Sequence, residues 1–233
     1  MSKLFGVLWS GTSPIDGAPI AAIVTHGKGN KKLGDMVSVW VMRTDMAPHD
    51  AKRTGNDVSV CGHCPVKSAC YVRVNMAPLW IYKRLDGKGL RTIHPSELRG
   101  RSVRWGAYGD PSLIPFDVVS EVNAVAKGWT GYTHQWKRAW GEKFKGVFMA
   151  SVETLEQERS LAAEGWGTFR AGMRDGSDVG GSTLCQNERD GTTCADCGAC
   201  NGERRSIYIP AHGAWSKHIP AERLAAKLKG ARV

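Results

Sequence analysis

Nowhere in the 233 residues does an apolar run approach the ~18 that a membrane-spanning helix requires. The opening Met1-Ser2-Lys3-Leu4-Phe5 is followed too soon by Ser10-Gly11-Thr12 to supply the apolar core of a signal peptide. A soluble, cytoplasmic protein with no membrane partner is therefore expected. Acidic residues are also scarce, 22 Asp and Glu against 32 Lys and Arg, which leaves a net charge of +10. Such an excess gains affinity for phosphates by releasing counterions, so the expected partner is a nucleic acid or nucleotide.

Cysteine is missing from most of the chain. All seven cysteines fall in two sets, Cys61, Cys64 and Cys70, then Cys185, Cys194, Cys197 and Cys200. An odd number clustered in CxxC patterns argues against a disulfide scaffold and for metal-binding or catalytic thiols in a reducing compartment. The second set, C-x8-C-x2-C-x2-C, has the spacing of a four-thiolate site for Zn²⁺ or a [4Fe–4S] cluster, and spacing does not separate the two. The first set lacks a fourth thiol. Either His63 or His49 closes a zinc site there, or the trio holds a [4Fe–4S] cluster with one iron open to a ligand such as S-adenosylmethionine.

Period-two patterning predicts strands at Met36–Met42, Ser102–Tyr108, Thr130–His134, Val147–Val152, Gly167–Arg170 and Ser206–Ile209. Helices are predicted from Ala47, around Trp80, over Phe116–Val125, around Trp136–Trp140, over Thr154–Ala163 and in the basic tail Ala221–Leu228. Apolar runs at 5–9 and 18–25 predict an N-terminal hairpin or barrel-closing strand, and Gly27–Gly34 a basic, glycine-rich turn. Trp105, Trp129, Trp136 and Trp140 are expected to pack in the core or at its rim.

Strand alternating with helix predicts a single α/β domain over 1–233 with a parallel sheet. The expected form is a partial (β/α)6 TIM-like barrel, with a doubly wound sheet as the alternative. An N-terminal extension (about 1–35), a three-cysteine loop (56–75) and a four-cysteine metal-binding insertion (about 176–204) complete it. Chemistry in such folds sits at the carboxyl ends of the strands. Those ends carry Tyr108 with Asp110, Tyr132 with His134 and Gln135, Ser151 with Glu153, then Arg170 and His212, a candidate polar cleft.

The order strand, three-cysteine loop ending in Cys70-Tyr71, helix, strand, Gly109-Asp110-Pro111 resembles the opening of radical S-adenosylmethionine enzymes. The usual thiol pattern there is CxxxCxxC, and this chain has CxxCxxxxxC. The resemblance implies that Cys61, Cys64 and Cys70 hold the open cluster, that Gly109 and Asp110, with Tyr108 and Ser151 nearby, bind the cofactor, and that the four later cysteines hold an auxiliary cluster. Over most of its length the chain also resembles a family of uncharacterised phage-encoded cysteine-motif proteins. That likeness rests on Asn30–Met36, Cys61-Gly62-His63-Cys64-Pro65, Gly106–Pro111, Gly131–Trp136 and Thr193–Cys200. It implies a phage origin and the cytoplasm of an infected bacterial host.

Three functions follow as expectations. The first is an iron–sulfur radical S-adenosylmethionine-like enzyme that modifies a nucleic acid or nucleotide, with Asp110 on the cofactor and His134, Glu153, Arg170 and His212 positioning substrate or moving protons. The second is a zinc-dependent barrel enzyme that exchanges or modifies a DNA or RNA base, with Asp110 as nucleophile or general base. The third is a non-catalytic zinc protein that binds nucleic acid.

Overall fold

A computed structural model describes residues 4–26, 30–67, 70–85, 90–173, 176–203 and 205–211. Ten strands run in chain order: β1 (Phe5–Thr12), β2 (Pro19–Thr25), β3 (Met36–Arg43), β4 (Ser102–Tyr108), β5 (Gly128–Thr130), β6 (Tyr132–Thr133), β7 (Met149–Val152), β8 (Thr168–Gly172), β9 (Thr183–Leu184) and β10 (Ser206–Pro210). They form two five-stranded sheets, ordered β1-β2-β3-β4-β5 and β6-β7-β8-β10-β9. The fold is α/β. β1 to β3 pair antiparallel, whereas β3-β4-β5 and the whole second sheet are parallel.

Gly131 joins the sheets, and its backbone bonds run to both sides. Its N–H donates to the Cys200 carbonyl at 3.1 Å, and its carbonyl accepts from Met149 N–H at 2.9 Å. A Cβ here would lie 2.4 Å from the Phe148 ring, so only glycine lets strand and ring approach this closely.

The expected N-terminal hairpin is present, and it adds to β3 with a register from Ile20 opposite Arg43 to Thr25 opposite Ser38. It therefore extends the main sheet. β2 reads Pro-Ile-Ala-Ala-Ile-Val-Thr with Ile20 to Val24 all buried, the continuous apolar run of a strand covered on both faces. The Phe116–Val125 helix turns Val119 and Val122 inward, and Trp105 of β4 donates to Asn123 Oδ1 of that helix at 3.0 Å. Trp105 packs against Phe148, which stacks on Phe144 with ring centroids 5.0 Å apart. Truncating Trp105 in this core would cost about 3–5 kcal/mol.

Thr154 caps the Leu155–Ala163 helix as expected, accepting from Gln157 N–H at 3.1 Å. Two boundaries differ from expectation. β7 starts at Met149, because Val147 and Phe148 N–H groups bond back to the Phe144 carbonyl and close a turn. The helix expected at Trp136–Trp140 is a single turn at Ala139–Glu142, since Gln135 and Trp136 still belong to the segment leaving β6. The predicted tail helix lies outside the described residues, as do residues 27–29 at the start of the Gly27–Gly34 turn. No helix among the described residues is long and apolar enough to cross a membrane.

Candidate metal centre at the strand ends

β3 delivers the chain to the first cysteine loop through the Pro48–Thr54 helix, which Gly55 ends with φ of 85°. A short helix, Val58–Cys61, then places the first thiol, and Gly62 turns the chain with φ 61° and ψ −157°, a region essentially closed to other residues. Asp57, buried just before the loop, is ion-paired with Lys67 within it. Burial pushes the Cys61 thiol well up, and the charges of Asp57, Cys70, Cys64 and Asp110 push it further. The three thiols thus lie within electrostatic reach of one another.

The fourth partner is His134. It follows β6, and its Nδ1 is 3.7 Å from Cys64 Sγ. Its Nε2 is 3.0 Å from Glu153 Oε1, which follows β7. Burial alone would lower the His134 pKa, but the Cys64 sulfur and the Glu153 carboxylate outweigh it and push the pKa up to about 10.

Asp110 holds this arrangement together. Its Oδ1 accepts from Ser112 N–H at 3.0 Å and Ser112 Oγ at 2.8 Å, and its Oδ2 accepts from His134 N–H at 2.8 Å. Its own N–H donates to the Val60 carbonyl at 2.6 Å, tying the strand end to the cysteine loop. Thr133 Oγ1 lies 3.1 Å from Ser112 Oγ and accepts from Gln135 N–H at 2.9 Å. The Gln135 side chain is wedged against Gly62, where a Cβ would lie 2.2 Å from Nε2. Gly109, with φ of 76°, has no room for a side chain because a Cβ would sit 2.4 Å from the Val41 carbonyl oxygen.

One donor pair, Cys64 and His134, has the spacing of two ligands on a single metal ion. Zinc-bound sulfur and nitrogen, at ~2.3 and ~2.0–2.1 Å from a tetrahedral ion, stand about 3.5 Å apart, close to the Cys64–His134 separation. A carboxylate on the far imidazole nitrogen is the usual support of a metal-bound histidine, since it fixes tautomer and ring orientation. Tyr108 Oη is buried and has no hydrogen-bond partner among the described residues. Burial and the nearby Cys61, Asp57 and Cys70 raise its pKa, so it stays a hydroxyl able to donate. Among the described residues no three or more His, Cys, Asp or Glu side chains are drawn close enough to enclose an ion.

The second cysteine set occupies its own small substructure. Cys185 leads into the Gln186–Asp190 helix, and Cys194 and Cys197 share one turn that Gly198 ends with φ of 62°. The Cys194 and Ala195 N–H groups donate to the Lys32 and Leu33 carbonyls at 2.8 and 3.0 Å, docking the set on the segment before β3. Burial pushes the Cys200 thiol up to about 12, partly offset by a hydrogen bond with Tyr132, while Cys185, Cys194 and Cys197 add to the rise. Cys194 and Cys200 thus lie within electrostatic reach of the other thiols of the set.

Several expected site residues lie elsewhere. Arg170 is 1% exposed and bonds Glu158 Oε2 and Asp178 Oδ2, each at 2.8 Å, so it secures the packing of β8 and is not brought to the His134 cluster. Ser151 offers its carbonyl to Trp136 Nε1 at 3.0 Å. His63 is exposed, and His49 lies 3.4 Å from Asp50. His212 is outside the described residues. Sequence reasoning placed His134 at a strand end without pairing it to Cys64, and it gave no role to Ser112 or Thr133. The capping pattern Asp-Pro-Ser at 110–112 was the signal that could have found the first of these. No family model, curated protein or solved structure matches the chain.

Proposed function

We propose that the chain is a metal-dependent enzyme acting on a nucleic acid or nucleotide base, with Cys61, Cys64 and His134 as the inner ligands of a zinc-type centre. Cys70, the exposed thiol of the trio, stands at the solvent-facing fourth position. The observation that carries this reading is His134, held between Cys64 on one ring nitrogen and Glu153 on the other. A bound zinc ion supplies a Lewis acid that polarises a carbonyl or brings the pKa of bound water to about 7.

The protein side chains do the remaining work. Glu153 keeps the proton on His134 Nε2 and so leaves Nδ1 free to ligate. Asp110 orients His134 through its backbone and braces the cysteine loop through Val60. Tyr108 Oη, beside Cys61 and Cys70, can donate to an oxygen or nitrogen of a bound base. The four later thiols would hold a second ion that pins a loop too polar to bury a core of its own.

The radical S-adenosylmethionine reading draws support from two parallel runs, β3-β4-β5 and β6-β7-β8-β10, which belong to separate sheets joined through Gly131. It fits the site less well, because Asp110 commits both carboxylate oxygens within the chain and is poorly placed to take a cofactor amine. The phage-family likeness supports neither chemistry over the other. Anaerobic purification with zinc, iron and sulfide analysis tests the choice. Zinc near two ions per chain without sulfide supports this reading; stoichiometric iron and sulfide in the first set defeats it.

A further inference from the structure

A cavity of about 1130 Å³ opens between β1 to β4 and the Ala77–Leu85 helix. It exceeds the ~300–1,000 Å³ usual for a small-molecule site. Phe5, Trp40 and Trp80 bring rings to it, and Lys83, Arg84 and Arg104 bring charge, yet among the described residues none that lines it is an aspartate or glutamate. Trp80 is 46% exposed, its ring 5.6 Å from that of Phe5 and capped by the Arg84 guanidinium 3.4 Å from the centroid. Arg104 Nη2 donates to Tyr71 Oη at 2.8 Å, and no carboxylate among the described residues is paired with Arg104, Arg84 or Lys83.

An exposed aromatic ring beside cations with no carboxylate partner among the described residues fits a ligand that alternates flat bases with phosphates. The chain's own tail is a poor occupant, since residues 212–233 carry five Lys and Arg against one Glu, the same sign as the cavity. Arg104 of the cavity also bonds Tyr71, which directly follows Cys70 of the proposed metal centre in the chain.

We infer that this cavity is the binding groove for a single-stranded nucleic acid, with a base on Trp80 and phosphates on Arg84, Lys83 and Arg104. The inference rests on the nucleic-acid reading above and adds to it the strand state of the substrate and the surface that holds it.

Fluorescence anisotropy with a 5′-labelled oligothymidylate of about a dozen nucleotides, within the range of single-strand site sizes, tests it on the full metal-loaded chain. Trp80→Ala should weaken binding about 5- to 150-fold, the loss expected for one stacked base. Arg84→Gln should weaken it and reduce the slope of log affinity against log salt by about 0.7, as expected when one phosphate of a single strand is no longer neutralised. Both side chains are at the surface of the cavity, and circular dichroism with metal analysis verifies that each variant is folded and loaded. Wild-type binding that neither variant alters would overturn the groove while leaving the nucleic-acid reading standing. Binding of duplex but not single strand would overturn the strand assignment alone. Failure to bind single strand, duplex or nucleotide would overturn both.

Discussion

His134 and Cys64, seventy positions apart, meet with Nδ1 3.7 Å from Sγ. The meeting depends on two strands and the loop that Asp110 ties to them, so it is built by the fold and not by local sequence. If it is a ligand pair, His134→Ala should lower metal content by about one ion per chain, whereas His63→Ala and His49→Ala should not. Elemental analysis of the three purified variants reads the difference.

Glu153 touches the ring from the other side. Glu153→Gln keeps a hydrogen-bonding group of the same shape but removes the negative charge that makes the imidazole a stronger ligand. Metal affinity should fall about 10- to 100-fold, measured by competition with a chromophoric chelator, with little change in the fold.

Gly62 adopts backbone angles that other residues resist, and a Cβ there would collide with Gln135. Gly62→Ala should cost on the order of 1–3 kcal/mol and shift the thiol loop away from His134. The expected result is a lower melting temperature together with loss of the first metal ion, the second being retained. Gln135→Ala, which relieves the collision, should restore part of the metal binding to the double variant.

Arg170 gives a contrasting case. Arg170→Met leaves Glu158 buried without its partner and should destabilise the chain by about 3–5 kcal/mol by denaturant titration, with metal content unchanged. Asp178 adds a pH dependence. Burial alone would raise its pKa, but Tyr208, Met173 N–H and Arg170 together hold it below the usual 3.8. A carboxylate lowered in the folded state contributes stability above its ordinary pKa and loses it as pH falls through the folded value. The melting-temperature advantage of the native chain over Asp178→Asn should therefore hold at neutral pH and shrink below about pH 4.

Much of this was legible in the sequence. The strands at 36–42 and 102–108 and the helices at 116–125 and 154–163 follow from patterning, because their apolar periods and caps act within a few residues. Asp110, His134 and Glu153 were all singled out as strand-end groups, and they do converge. What the sequence could not convey was direction. Arg170 sits on a strand like the others, but its side chain joins Glu158 of the Leu155–Ala163 helix, a choice made by tertiary packing. The fourth neighbour of the cysteine trio was sought nearby, at His49 and His63, because spacing rules describe ligands on one loop. His134 arrives from another strand, and only the sheet order brings it there.

Diffraction from crystals of the anaerobically prepared protein, collected on both sides of the zinc absorption edge, tests the central claim most directly. The account predicts an anomalous peak bonded to Cys61, Cys64 and His134 Nδ1, with Cys70 or solvent completing the shell, and a second peak among Cys185, Cys194, Cys197 and Cys200. A disulfide within the trio, or an iron–sulfur cluster there with His134 turned away, would contradict it.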